Sequence, residues 1–146
     1  MPRHSERRPL PYRPDQMFDL VAGVELYPQF LPWCKASRIR KREQDLIVAD
    51  LVIGFKGITE RFTSRVTLDR EKPAIDVAYE DGPFKYLENK WIFEKSDAGC
   101  VVDFYVDFEF RSRLLQSLMG LVFTEAVRKM VHAFESRADD LYGNQN

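Results

Sequence analysis

The chain has 146 residues, the size of one ordinary domain, and its 45% hydrophobic and 31% charged residues exclude a wholly disordered protein. The 22 Lys and Arg residues nearly balance the 23 Asp and Glu residues, so the basic excess of a typical DNA-binding domain is missing and no DNA partner is expected. Two cysteines and two histidines, far apart in sequence, exclude a disulfide framework and a recognisable zinc site. We therefore predict one domain over residues 1–146, without a metal.

The N-terminal part combines an extended segment with two short helices. Residues 3–12 are predicted to form an edge strand, because Pro9 and Pro11 cannot donate ladder hydrogen bonds. A helix is predicted to begin at Pro14 and to end at Gly23. A second short helical segment follows over residues 24–31.

From residue 35 the hydrophobic period changes to two, which is typical of β-strands. Six further strands are predicted, over residues 35–43, 46–55, 58–69, 74–80, 85–95 and 100–110. The connections are short, so neighbouring strands are expected to pair antiparallel. Each strand has one apolar face and one polar face, and the sheet therefore needs a cover on one side only.

The C-terminal segment is predicted to supply that cover as a helix over residues 112–142. Ser112 is the expected N-cap, and Gly143 is expected to end the helix in the left-handed conformation. An apolar stripe at helical spacing is expected to face the sheet. It comprises Leu115, Leu118, Met119, Val122, Ala126, Met130, Phe134 and Leu141. Gly120 is unfavourable inside a helix and predicts the close approach of another group there.

A basic run occupies the strand predicted at residues 35–43. Arg38, Arg40 and Arg42 alternate along it and are expected to point the same way. Two interpretations stay open. The run is either a solvated edge strand protected by charge, or a docking surface for lipid headgroups or RNA phosphates.

Candidate catalytic groups are few. Cys34 and His132 are a candidate nucleophile and base, but their spacing in sequence does not establish that they are within hydrogen-bond reach, and a buried thiol with a solvated or core-edge imidazole is the simpler interpretation. Asp103, Asp107 and Glu109 are expected on the polar face of their strand, away from the interior. We therefore predict no catalytic residues and no enzyme activity.

Aromatic residues make up 13% of the chain, which is a large apolar content for one small domain. They either fill the core or line a cavity beneath an obliquely placed helix. The candidate lining residues are Phe62, Trp91, Phe93, Phe104, Phe108, Met119, Phe123, Met130 and Phe134. Ser64 and Asn89 are the polar side chains expected on the same face.

Three segments resemble those of a known family. They are Tyr27-Pro28-Gln29-Phe30-Leu31-Pro32-Trp33-Cys34, then Asp81-Gly82-Pro83-Phe84-Lys85 with Trp91-Ile92-Phe93, and Val106-Asp107-Phe108-Glu109-Phe110. The chain resembles the coenzyme Q-binding proteins and ribosome association toxins of the START-like (polyketide cyclase/dehydrase) superfamily over essentially its whole length. The resemblance implies an α+β helix-grip fold. That fold is a curved antiparallel sheet of about seven strands around a long C-terminal helix, with two short helices after the first strand.

The resemblance also implies a function. A hydrophobic tunnel would bind ubiquinone or a similar isoprenoid lipid, with no further cofactor, and the protein would carry this lipid in support of respiratory electron transport. The alternative is a toxin-like regulator that hinders ribosomal subunit association; Arg38, Arg40 and Arg42 favour it and the neutral overall charge disfavours it. The expected location is the cytoplasm, with peripheral contact at the inner membrane or respiratory components, or with the ribosome. No apolar run reaches the roughly 20 residues that span a bilayer.

Overall fold

A computed structural model describes residues 3–55 and 57–143, and in this part of the chain seven strands form one antiparallel sheet. The strands are β1 (Arg3–Leu10), β2 (Cys34–Arg42), β3 (Leu46–Phe55), β4 (Ile58–Asp69), β5 (Ala74–Asp81), β6 (Phe84–Ser96) and β7 (Gly99–Phe110). The helices are α1 (Pro14–Ala22), a 3₁₀ helix (Val24–Gln29) and α2 (Arg113–Tyr142). The predicted helix-grip fold is confirmed, with a curved sheet and the long helix against its inner face.

The sheet order is β1-β7-β6-β5-β4-β3-β2, so β1 and β2 are its two edges. Five consecutive hairpins connect β2 to β7, as the short connections predict. β1 then closes the sheet by pairing with the last strand, with Arg3 opposite Asp107 and Leu10 opposite Cys100.

Alternation along the strands separates an inner from an outer face. On β7, Phe104, Phe108 and Phe110 are buried on the inner face, whereas Asp103 lies on the outer face and pairs with Arg7 at 2.7 Å. The helix α1 fills part of the inner face, and the ring of Phe18 packs edge-on against Phe93. This one-sided burial matches the expectation that the sheet needs a cover on one face only.

The long helix begins as predicted and faces the sheet with a slightly different stripe. The Ser112 hydroxyl accepts a hydrogen bond from the Leu115 amide at 3.2 Å. Leu118 and Leu141 were expected in the stripe, but they are 38% and 43% exposed. Ala138, one turn after Phe134, is buried. The residues of α2 that pack on the core are Leu115, Met119, Phe123, Met130, Ala133, Phe134, Ala138 and Tyr142.

Both expectations for the helical glycines are wrong. Gly143 has φ −63°, in the right-handed region, and its amide donates to the Asp139 carbonyl, so the chain simply continues the last turn. A Cβ on Gly120 would meet no atom within 4 Å. No neighbour therefore requires a glycine at that position.

The basic strand β2 also departs from its prediction. A register shift between Ile39 and Lys41 leaves Arg40 as an extra residue, a β-bulge. Directly opposed residues share a face, so Arg38 lies with Asp50 on the outer face while Arg42 lies with inward-facing Ile47. Arg42 pairs there with Glu25 of the 3₁₀ helix at 2.8 Å. The three arginines therefore do not share one face.

Candidate functional site

An apolar cavity of about 200 Å³ lies between the inner face of the sheet and α2. A single ordered water needs roughly 10–15 Å³ of such space, so this is no ordinary packing defect. Aliphatic and aromatic side chains form nearly all of its wall. Among them are Val21, Tyr27, Leu31, Trp33, Leu51, Val66, Ile75, Val77, Phe84, Leu87, Phe110, Ala126 and Val127.

Eight of the nine predicted lining residues lie on this wall. They are Phe62, Trp91, Phe104, Phe108, Met119, Phe123, Met130 and Phe134. The prediction is wrong for Phe93, which is fully buried between Trp91, at 6.3 Å between ring centroids, and Phe18, at 6.0 Å. Phe93 does point inward, but α1 covers it before the cavity begins.

Three aromatic rings close one end of the cavity. The Trp91 ring lies 4.6 Å from Phe104 and 5.2 Å from Phe134, measured between ring centroids. The same three residues line a second, smaller cavity of about 40 Å³ on their far side, where Arg8 and Glu135 form an ion pair. The rings therefore separate the two spaces, and the main cavity ends at this wall.

Polar groups in the cavity wall are few, and most are already engaged. Asn89 donates to the Tyr105 carbonyl at 2.9 Å and accepts from the Trp91 indole N–H at 2.9 Å, which fixes the orientation of that ring. The Tyr27 hydroxyl donates to the Val21 carbonyl, and burial raises the pKa of the phenol, so it stays neutral. Ser64 is 1% exposed and lines the cavity, which makes its hydroxyl the group placed to meet a polar atom of a ligand.

The helices preceding β2 contribute lining residues that periodicity did not identify. Val24, Tyr27, Leu31 and Trp33 line the cavity from a short irregular stretch. The Tyr27 ring packs edge-on against Phe134 at 5.7 Å. Periodicity could not identify these residues, because a short, interrupted helix has no regular period that reveals its inner face. The sequence feature that could have identified them is the segment of residues 27–34, one of the three segments that resemble the known family.

The first half of α2 covers the cavity without being buried itself. Met119 and Phe123 line the cavity, but both stay partly exposed, and the buried residues that the structure describes in this helix, Phe134 and Ala138, lie in its second half. The open side of the cavity therefore runs along the first half of α2.

Nucleophilic chemistry finds no support in the geometry. Burial raises the pKa of Cys34 and of Cys100 to about 11, so both thiols stay protonated near neutral pH. His132 lies on the exposed side of α2, whereas Cys34 is buried in the core. Among residues 3–55 and 57–143, no group of three Cys, His, Asp or Glu side chains is arranged to hold a metal ion.

Basic side chains cluster on the outer face of β2, β3 and β4. The outer basic patch consists of Arg38, Arg40, Arg61 and Arg65, grouped near the carboxylate of Asp50. Arg61 lies 3.0 Å and Arg40 3.5 Å from the Asp50 carboxylate.

The pKa of Asp50 is lowered by the groups around its carboxylate. Burial alone raises it, but hydrogen bonds from Thr63 and Arg61 and the charges of Arg40 and Arg61 outweigh burial, so the pKa lies below its usual value. One buried anion is therefore surrounded by a larger number of cations, and the patch keeps a positive excess.

Within residues 3–55 and 57–143, no helix is both long and apolar enough to cross a bilayer.

Two curated proteins illustrate what the chain is similar to. Ribosome association toxin RatA of Rickettsia prowazekii is 41% identical over 135 residues, which cover 90% of this chain and 92% of that protein. The mitochondrial coenzyme Q-binding protein COQ10 homolog B of Xenopus laevis is 35% identical over 97% of this chain and 60% of that longer protein.

Two solved structures have the same fold as this chain. An 18 kDa protein of Caulobacter crescentus is 37% identical, with a TM-score of 0.80 and coverage of 98% and 99% of the two chains. A Streptomyces aromatase/cyclase shares the fold at 18% identity and a TM-score of 0.80, over 94% and 92% of the chains.

A family model described as polyketide cyclase / dehydrase and lipid transport matches residues 10–135. That range contains all the residues that line the cavity and the three strands around the outer basic patch, β2, β3 and β4. The resemblance noted in the sequence is therefore confirmed. The chain belongs to the polyketide cyclase/dehydrase and lipid transport family.

Proposed function

We propose that this protein binds ubiquinone or a similar isoprenoid lipid in the cavity beneath α2 and carries it in support of respiratory electron transport. The observation that carries the proposal is the cavity itself, about 200 Å³ enclosed almost wholly by apolar side chains. Apolar cavities of this order stay dry and accept hydrophobic molecules. In this role the protein works from the cytoplasm, at the surface of the inner membrane.

The energetics favour a carrier over a storage protein. Burial of apolar surface contributes roughly 25 cal/mol per Å², so a tail that buries about 400 Å² gains on the order of 10 kcal/mol before the entropy of binding is subtracted. A bilayer offers the same tail a nearly equal apolar environment. Transfer between the two is therefore close to balanced, and the lipid can leave as readily as it enters.

Ser64 supplies the contact expected for the head of the lipid. Its hydroxyl lies on the wall between Phe62 and Val66, where it can donate a hydrogen bond to a quinone carbonyl. Asn89 lines the same wall, and its amide is held in place by the Tyr105 carbonyl and the Trp91 indole, which leaves one N–H for a second contact. Selectivity for a quinone over a simple hydrocarbon therefore rests on Ser64 first, with Asn89 as the second polar group.

The same wall supports a binder rather than an enzyme. Acid–base catalysis needs a titratable group within hydrogen-bond reach of the substrate. The Tyr27 phenol lines the cavity, but burial raises its pKa and its hydroxyl is bound to a backbone carbonyl. Asp103, Asp107 and Glu109 are on the outer face of the sheet and reach neither the cavity nor its ligand.

Organic extraction of the purified protein, followed by mass spectrometry, tests the proposal, together with titration by a short-chain ubiquinone. We expect a co-purified isoprenoid lipid and saturable quinone binding. Phe108→Arg places a charge in the cavity and should abolish binding, whereas Ile92→Arg, at an outward position on β6 that is 43% exposed, should leave it unchanged. A protein that carries no lipid and shows no saturable quinone binding contradicts the proposal.

A second candidate function is suggested by the outer basic patch. Relatives named ribosome association toxin cover most of this chain, and Arg38, Arg40, Arg61 and Arg65 form a positive surface suited to RNA phosphates. Under this alternative the protein docks on a ribosomal subunit and hinders subunit association.

Co-sedimentation with purified ribosomal subunits separates the two candidates. Arg38→Glu with Arg65→Glu should abolish sedimentation, while Lys90→Glu with Lys95→Glu on β6 serves as the control of equal charge change. Arg40 and Arg61 are left in place because they pair with Asp50, and their loss would leave a buried carboxylate without partners. Sedimentation of wild-type protein that lacks any bound lipid would favour the ribosomal function.

A further inference from the structure

Three leucines of α2 are exposed together in its first half. Leu114 is 69%, Leu118 38% and Leu121 84% exposed. They recur at positions i, i+4 and i+7, so they form one line along a single face of the helix, the exposed-leucine ridge. A fully exposed leucine is common, but three aligned leucines at successive turns form a continuous apolar strip.

The ridge lies opposite the cavity-lining face of the same turns. At 100° per residue, Leu121 is about 160° away from Phe123 around the helix axis, and Leu114 is about 140° from Met119. Met119 and Phe123 line the open side of the cavity. One stretch of helix thus borders the cavity with one face and presents apolar side chains to the outside with the other.

The charges beside the ridge are mostly positive. Arg111, Arg113 and Arg128 are exposed beside it, and residues 111–124 contain no acidic side chain. The first acid along the helix, Glu125, lies one turn after Leu121 on the line of the ridge, and Lys129 pairs with it at 3.4 Å. The ridge is therefore a strip of leucines bordered by arginines.

We propose that the exposed-leucine ridge docks the protein on the surface of an anionic lipid bilayer. The proposal rests on the proposed lipid-binding function and adds the surface through which lipid is exchanged. The leucines would enter the acyl boundary, while Arg111, Arg113 and Arg128 contact anionic headgroups. Docked in this way, the first half of α2 lies between the bilayer and the cavity, so a tail drawn from the bilayer would pass beside this half of the helix when it moves away from the sheet.

Charge complementarity favours a bilayer over a second copy of the chain. Two copies related by a twofold axis would bury the same ridge on both sides. Such a contact brings Arg113 and Arg128 of one helix towards the arginines of the other, and like charges repel. An anionic membrane surface instead neutralises them.

Flotation with vesicles tests the proposal. The vesicles consist of phosphatidylcholine and phosphatidylglycerol at roughly seven to three, with phosphatidylcholine alone as the neutral arm. Leu114→Gln with Leu121→Gln should weaken binding to the mixed vesicles at least roughly tenfold. Both positions are exposed and glutamine is a good helix former, so Tm and short-chain ubiquinone binding should not change.

Matched variants test whether vesicle binding depends on the ridge itself or on any exposed apolar side chain of the helix. Leu141→Gln removes a leucine of the same helix that is 43% exposed but lies outside the ridge, and it should leave vesicle binding unchanged. Arg111→Ser with Arg113→Ser should weaken binding to the mixed vesicles roughly tenfold and leave weak binding to neutral vesicles unaltered.

The outcomes also separate this proposal from the lipid-binding function. Unchanged vesicle binding by the double leucine variant overturns the ridge proposal, as does a dimer that this variant converts to monomer with no change in flotation. Flotation that depends on the ridge in a protein without saturable quinone binding supports the docking surface and contradicts the proposed ligand. Quinone binding without flotation contradicts the docking surface alone.

Discussion

The two halves of α2 are held to the protein in different ways. The second half is buried at Phe134 and Ala138, and the Phe134 ring packs against Tyr27, Phe30 and Trp91. The first half contains none of the helix's buried residues and covers a cavity instead of a packed core.

Polar contacts to other elements are more numerous in the second half, whereas in the first half the Gln116 side chain accepts a hydrogen bond from the Phe110 amide at 2.8 Å. Glu135 pairs with Arg8 of β1. Arg137 donates to the Gln29 side chain at 3.0 Å and stacks over the Phe30 ring, while the Tyr142 hydroxyl donates to the Gln16 carbonyl at 3.1 Å. The contacts of Glu135, Arg137 and Tyr142 all belong to the second half, so that half is anchored at several points on β1, α1 and the 3₁₀ helix.

This difference shows how one helix can both stabilise the fold and let a ligand reach the cavity. Regions with little buried apolar surface open at a lower free energy than the core does. The first half of α2 should therefore move away from the sheet while the second half stays in place. A ligand could then enter and leave without unfolding the protein.

The largest effect on stability is expected from a substitution in the second half of α2, the anchored half. Phe134→Ala should lower the free energy of unfolding by about 3–5 kcal/mol, because a buried ring is removed from a cluster of aromatic side chains. Phe123→Ala, in the first half, should cost about 1 kcal/mol, because Phe123 is only partly buried. Denaturant unfolding measures both. Equal losses for the two variants would contradict the comparison between the halves.

The rate of thiol alkylation measures how often the folded protein opens locally, and it should also differ between variants of the two halves of α2. The Cys34 and Cys100 thiols have a pKa of about 11 in the folded protein because they are buried. At pH 8 their thiolate fraction is roughly a hundredfold below that of an unfolded cysteine, so native alkylation should be slower by at least that factor. Phe134→Ala should accelerate it and Phe123→Ala should not. Fast alkylation of the wild-type protein would show that the core around Cys34 and Cys100 opens readily, and equal rates in the two variants would show that Phe134 does not hold that core closed.

The same thiols predict how stability depends on pH. Each has a raised pKa in the folded state, so the folded chain keeps its proton to a higher pH than the unfolded chain does. Their contribution is therefore complete below about pH 9 and is lost as the pH rises towards 11. The Tyr27 phenol, also with a raised pKa, acts in the same direction at still higher pH. Replacing both cysteines by alanine should flatten the decline between those pH values in denaturant unfolding.

The sequence predicted the sheet well because alternation is a local property. The strand bounds agree to within one or two residues, and Phe104 and Phe108 lie inside as their parity requires. Parity cannot show how far an inward side chain is from the cavity. Phe93 was misplaced for this reason, since the position of Phe18 on another element decides its surroundings.

Other misassignments also depend on tertiary structure. The helix carries leucines on both faces of its first half, so periodicity alone could not tell Leu118 from Met119 as the cavity-facing residue. The bulge at Arg40 depends on how β2 pairs with β3, and no local pattern in the basic run reveals it.

Removing one anchor of the second half should have a smaller effect. Glu135→Gln breaks the ion pair with Arg8 but keeps the size of the side chain, and we expect a loss of about 1 kcal/mol, since both partners are only partly exposed. Hydrogen exchange of the α2 amides should rise around residue 135 and stay unchanged near residue 120. A rise confined to the first half would contradict the assignment of Glu135 as an anchor. Glu125→Gln, at a surface pair of the first half, is the control.

The smallest expected effect concerns Gly120 in the first half. An alanine Cβ there would meet no atom within 4 Å, and the residue is exposed in a regular helix. Gly120→Ala should therefore stabilise the protein by about 0.5–1 kcal/mol, because it restricts the unfolded chain and improves helix propensity without a clash. If local fraying of this half admits the lipid, the same change should slow ubiquinone exchange between protein and vesicles while leaving the equilibrium affinity for a short-chain quinone nearly unchanged. A stabilised variant with unaltered exchange would show that the first half of α2 does not control access, and that lipid enters past another part of the cavity rim.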